Sequence, residues 1–220
     1  MKKLVLAATI FCGTVLLLTG CHMGVKGSGL RQTEKRDVPA FTAINTSGMF
    51  EVEVKCQQPV SLEVEGDDNL LPLIDTEVNG AVLRVTTTKH YSSRGSIVLR
   101  IASPNLERVR STGAGKFHIL DLKNDSFRID STGAATVVAE GQSKSVEISS
   151  TGAGTIDTHN LRANKVNVRV TGAAGVEVNA IDELDVTVSG AGRVTYSGSP
   201  KVNKHVSGAG EVTKKESTGA

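Results

Sequence analysis

Hydroxyl side chains beside glycine recur along the second half of the chain. Ser111-Thr112-Gly113-Ala114-Gly115 is followed by Ser131-Thr132-Gly133-Ala134, Ser150-Thr151-Gly152-Ala153, Thr171-Gly172-Ala173, Ser189-Gly190-Ala191 and Ser207-Gly208-Ala209. A glycine-rich loop that cradles phosphate needs a Lys followed by Ser or Thr at the start of a helix, so that ammonium, backbone amides and helix dipole converge. Here Phe117 follows Lys116, and the equivalents of Lys116 are Thr136, Thr155, Gly175, Arg193 and Glu211. A cation rewritten in every copy gives no fixed countercharge, which excludes a phosphate site. A nucleophile elbow places Ser between glycines on a strand-to-helix turn. In this chain the hydroxyl precedes the glycine and occurs in every copy, whereas an active site occurs once. What remains is a structural use: Thr112, Thr132, Thr151, Thr171, Ser189 and Ser207 form a ladder packed and hydrogen-bonded beside a tight corner, where Gly supplies backbone freedom.

Other chemistry is sparser. Polysaccharide lyases and hydrolases need carboxylates converging from neighbouring segments. With the repeats aligned, Asp157 and Glu177 are the best candidate catalytic pair. The only tyrosines are Tyr91 and Tyr196, so no aromatic platform for a sugar accompanies that pair. The flanking outward residues read as a solvated mixed-charge face, with Arg128 beside Glu147 as a cross-coil ion pair. No catalytic residue and no enzymatic activity are therefore expected, and a carbohydrate-active enzyme is the alternative. His22, His90, His118, His159 and His205 show no short ligand spacing, so neither metal nor cofactor is expected.

The N-terminus carries a different signal. Lys2 and Lys3 precede an uncharged apolar run, Leu4 to Leu18, which reads as a signal peptide over residues 1–20 rather than a membrane span. The stretch "LLLTGC" resembles the bacterial lipobox, which implies cleavage before Cys21 and acylation of its thiol. Several acyl chains, at about 0.8 kcal/mol per buried methylene, hold a protein on a membrane. By similarity to Gram-negative lipoproteins, His22 after the cysteine implies the outer membrane. With Cys12 in the leader and Cys21 acylated, Cys56 stands alone in "FEVEVKC" as a half-buried structural thiol. Cleavage removes Lys2 and Lys3 from 25 basic residues and leaves 23 against 23 acidic ones. A neutral chain has no electrostatic basis for binding nucleic acid. Residues 21–37 are polar and aperiodic and read as a flexible tether.

The elements that must carry these groups follow from the repeat. The corner glycines Gly113, Gly133, Gly152, Gly172, Gly190 and Gly208 are spaced by 20, 19, 20, 18 and 18 residues. Four residues after each comes an apolar position: Phe117, Val137, Ile156, Val176, Val194 and Val212. A second apolar column reads Phe127, Val146, Val166, Leu184 and Val202. Alternation by two, as in "KVNVRV" and "LDVTVS", is the strand period. Aromatics are 3% of the chain, so small and β-branched residues must fill the core. A lone unit cannot bury its apolar side, but stacked units can. The expected fold is all-β: a right-handed parallel β-helix, or solenoid, with coils of about 18–20 residues over 38–220. Residues 111–220 hold the regular repeats. Residues 38–110 hold less regular β-rich first coils or a cap, with a short helical turn or loop at "NLLPLID". The charged C-terminal "EVTKKESTGA" offers no obvious cap, and a second subunit could cover the open end.

"VPAFTAINTSGMFEVEV", "VSLEVEGDDNLLPLIDTEVNGAVLRVTT", the repeated "STGAG" and "VSGAGRVTYSGSPKVNKHVSGAGEV" together resemble the head GIN domain family, described as putative autotransporter adhesins and formerly as a domain of unknown function. The likeness covers Val38 to Val212 and implies a right-handed β-helix in secreted or lipid-anchored envelope proteins. The resulting expectation is a non-enzymatic lipoprotein of the bacterial envelope, anchored to the outer membrane. Its solenoid would serve adhesion, polysaccharide or matrix binding, or scaffolding; an envelope stress or signalling protein with a protein partner is a further alternative.

Overall fold

The computed structural model describes residues 24–215; the leader, Cys21 and the last "STGA" copy lie outside the described residues. Alternating apolar and polar residues produce strands with one face inward, and those strands stack in parallel as an all-β solenoid of about five turns. Strands β11 (Lys116–Gly133), β12 (Thr136–Gly152), β13 (Thr155–Gly172) and β14 (Gly175–Gly190) are each nearly a whole coil. The last coils are split into β15 (Arg193–Gly198), β16 (Lys201–Gly208) and β17 (Glu211–Lys214). Every coil has two walls, joined at one end by the glycine corner and at the other by a bulged corner.

Register makes the columns real. In the first wall Val52, Phe117, Val137, Ile156, Val176 and Val194 are successive Cα partners. In the second wall Ile44, Val109, Ile129, Ile148, Val168 and Val186 are partners in the same way. These side chains are buried in one contiguous core. Each contributes roughly 1.5–3 kcal/mol on burial. The uneven repeat length is absorbed at the bulged corner. Between β11 and β12 the partner offset falls from 20 residues (Ile119–Ala139) to 19 (Leu122–Gly141). Between β12 and β13 it rises from 19 (Val138–Asp157) to 20 (Gly141–Leu161). The glycine corners stay in step.

The N-terminal half combines coils with a cap, and its spatial order differs from its chain order. Strands β3 (Ala43–Gly48) and β4 (Phe50–Cys56) form the first coil in the chain. The chain then builds away from it with β5 (Ser61–Asp67), a 3-10 turn (Leu71–Leu73), β6 (Ile74–Asn79), β7 (Val82–Thr87), β8 (Tyr91–Ser92) and β9 (Ile97–Ser103). Strand β7 lies parallel to β3 and β9 parallel to β4, making a further coil on the outer side. Antiparallel β6 and β5 then close that end. Only afterwards does β10 (Arg108–Gly113) return to the opposite edge of β3 and start the regular array. The 3-10 turn carries Pro72 in its first positions, and Leu70 and Leu71 plug the end of the core.

The tether expected over residues 21–37 is corrected by its described part. Strand β1 (Val25–Lys26) pairs with β8, and β2 (Arg31–Lys35) pairs antiparallel with β5. All five residues of β2 are exposed, which explains why no hydrophobic period marks them. What recruits β2 is the open backbone edge of β5, with the Arg31–Glu65 contact at 2.9 Å adding side-chain pairing. At the opposite end the inward columns change character. Lys204 follows Val186, and Lys214 follows Tyr196. A charge at an inward register position of the last described rungs opposes stacking of another strand there.

Candidate functional site

The glycine corners are built by backbone close approach. Gly113, Gly133, Gly152, Gly172, Gly190 and Gly208 have φ between +106° and +135°, where side-chain-bearing residues are strained. Their neighbouring amides are consumed by the stack. Ala134 N donates to Gly113 O at 2.9 Å, Ala153 N to Gly133 O at 2.9 Å and Ala173 N to Gly152 O at 2.8 Å. Thr136 and Thr155 donate likewise to Gly115 and Ala135. Donors committed to the next coil cannot converge on an anion, so the STGAG corners hold the wall together.

The hydroxyl ladder differs from the expected one. Thr112, Thr132, Thr151, Thr171, Ser189 and Ser207 are exposed and form a rank along the outside of the second wall. They do not pack beside the corner, because strand alternation turns the residue before the glycine outward. The buried hydroxyls lie one position earlier: Thr46, Ser111, Ser131 and Ser150, in one column and at most 2% exposed. Their oxygens have no protein hydrogen-bond partner, and Val170 and Val188 continue the column. The "STG" triplets carry this signal as two adjacent hydroxyls of which alternation can bury only one.

Of the groups with chemistry, the structure brings together Asp157 and Glu177, which are Cα partners on the outer face of β13 and β14. It adds His159, which sequence spacing does not connect to them. One donor atom from each of the three lies within 4.8 Å of the others. His159 Nδ1 is 2.5 Å from Asp157 Oδ1, and the His159 amide donates to the same oxygen at 3.0 Å. Lys215 Nζ donates to Glu177 Oε2 at 3.2 Å. The readable signal is a D-x-H alternation with a Glu one coil later, which becomes a cluster only through the register. For glycoside chemistry the arrangement is poor. Retaining enzymes space their carboxyl groups at about 5–5.5 Å and inverting ones at about 6.5–9.5 Å. Here the carboxylates sit closer, on an outer wall, each engaged by a basic group.

Several other charges pair, within a strand or across coils. Arg128 Nη1 donates to Glu147 Oε2 at 2.7 Å and its Nε reaches Asp130 at 3.0 Å. In the cap, Glu65 accepts from Arg100 at 2.7 Å and from Arg31 at 2.9 Å, and these bonds hold its carboxyl below the ordinary carboxylate range. Cys56 is buried, and burial, then the nearby Asp121 charge, pushes its thiol up to about 11. Such a thiol stays protonated and inert. Among the described residues no helix is long and apolar enough to cross a membrane.

A wall of parallel rungs that consumes its backbone donors internally and turns ranks of polar side chains outward defines a β-solenoid with a polar outer surface. The chain belongs to the family described as "Putative auto-transporter adhesin, head GIN domain", which matches residues 40–200. A solved structure described as a putative adhesin from Bacteroides fragilis is 25% identical, with 87% of this chain and 100% of that one covered and a TM-score of 0.69. Another, from Parabacteroides merdae, is 22% identical, with 87% and 99% covered and a TM-score of 0.60. A third, from Parabacteroides distasonis, is 21% identical, with the same coverage and a TM-score of 0.58. No curated protein matches the chain in sequence.

Proposed function

We propose that this protein acts by contact rather than catalysis, as a lipid-anchored adhesive display protein of the bacterial envelope. Cys21 would carry the anchor to the outer membrane, and the solenoid would bind an extended polar polymer, a polysaccharide or matrix chain. The observation that carries this reading is the exposed hydroxyl rank on the second wall. Ser47 extends it to seven rungs of that wall, from Ser47 through Thr112 to Ser207. At roughly 4.8 Å per coil the rank runs about 29 Å. The neighbouring rank, Arg110, Asp130, Ser149, Arg169, Thr187 and His205, mixes charges and hydroxyls. Repeated donors and acceptors at constant spacing suit a repeating ligand, to which weak contacts add along its length.

The test is binding of the full chain to immobilised envelope and matrix polysaccharides, compared with the triple variant Thr132→Val, Thr151→Val, Thr171→Val. These exposed strand positions tolerate Val, so folding should persist while binding falls at least tenfold. Equal binding by the variant would refute the rank as the contact surface. For the anchor, labelled palmitate should enter the wild type and not Cys21→Ser. Protease added to intact cells should cleave the domain if it faces outward.

A further inference from the structure

We propose that Asp157, His159 and Glu177 form a divalent-cation site, best suited to zinc, that staples two adjacent coils of the first wall. The donor set is one imidazole and two carboxylates, which zinc accepts with a fourth position left for water. The donor atoms already lie within 4.8 Å of one another. A tetrahedral zinc with ligands at about 2.0–2.1 Å needs them ~3.3 Å apart. The remaining closure is within reach of side-chain rotation, because all three residues are only half-buried.

The scaffold beneath them is tied down. Asp157 and His159 flank Thr158, whose side chain points inward, is 1% exposed and donates through Oγ1 to the backbone carbonyl of Glu177 at 2.9 Å. Asn179 Nδ2 donates to His159 O at 3.2 Å. The strand carrying two donors is thus hydrogen-bonded by side chains to the strand carrying the third, on both sides of the site. These bonds fix the two strand backbones from which the three donors project. A cation also stands there already: the Lys215 ammonium, 3.2 Å from Glu177 Oε2. The metal would displace it.

Titration of the chelator-stripped full chain with zinc alone, followed by calorimetry and thermal melting, tests the site. One zinc per chain should bind and raise the melting temperature. His159→Ala, Asp157→Asn and Glu177→Gln should each weaken binding at least tenfold. His118→Ala, two rungs away in the same column, should leave it unchanged. Lys215→Ala should tighten binding severalfold, because it removes the competing ammonium. Circular dichroism of each variant separates lost binding from lost folding. Absence of binding at micromolar zinc, or undiminished binding by a folded His159→Ala, would overturn the proposal.

Discussion

Gly133→Ala tests the claim that the STGAG corners are structural. Gly133 has φ +120°, and an added Cβ would lie 2.5 Å from Gly113 O. Holding alanine in that region costs about 1–3 kcal/mol. Relieving the clash means moving the corner away from the coil before it, which breaks the 2.9 Å bond from Ala134 N to Gly113 O. That adds roughly 0.5–1.5 kcal/mol. The expected loss is therefore about 1.5–4.5 kcal/mol, a large part of the roughly 5–15 kcal/mol available to a domain. With no Trp and two Tyr in the chain, urea unfolding should be followed by far-UV circular dichroism rather than fluorescence. Gly208→Ala supplies an internal comparison. Its Cβ would meet Gly190 O at 2.6 Å, an almost equal clash, but on a terminal rung that can fray. Local opening limits its effect to the small free energy of releasing that rung, so its midpoint should move much less. A Gly133→Ala midpoint equal to wild type, or equal shifts for both variants, would sink the argument that stacking at the corners holds the array.

The buried hydroxyl column gives a second outcome: Ser131→Ala removes an unpartnered buried oxygen and should raise stability by about 1 kcal/mol. A loss in urea melts would show that the hydroxyl has a bonding role. Replacing both Lys204 and Lys214 by Val removes the charges of the last described rungs and should give end-to-end oligomers larger than the wild-type species in light scattering; a variant of unchanged size refutes the guard role. Glu65 has a carboxyl held low by Arg100 and Arg31, so its contribution is present above its unfolded pKa of about 4.3 and is lost as pH falls through the lower folded value. Glu65→Gln should therefore flatten the acid limb of the stability–pH curve slightly, because the group is near the surface; an unchanged limb contradicts the pairing. Cys56, its thiol pushed up to about 11, should label with a disulfide reagent at pH 8 only on unfolding, and prompt labelling of folded protein would contradict its burial.

Local chemistry is legible in the residue pattern itself. The glycine corners can be read because only glycine meets a positive φ at a recurring close approach, which leaves the same residue at Gly113, Gly133, Gly152 and Gly172. The alternation in "KVNVRV" can be read because a strand with one buried face must follow a period of two. What the residue pattern does not rank are choices made between distant segments. Strand β2 joins the cap through the backbone edge of β5, and hydrogen bonds between main chains leave no side-chain pattern. The coil β7–β9 lies outside the β3–β4 coil although it follows it in the chain, since nothing in a strand's composition states which of two equal edges it will occupy. Asp157 and Glu177 meet in the register that Gly152 and Gly172 set, which the aligned repeats already show, whereas His159 joins them only through its contact with Asp157 on the folded strand. Residue periodicity determined that this chain would stack; the pairing of backbone edges, decided only when the whole array forms, determined in what order and which side chains meet.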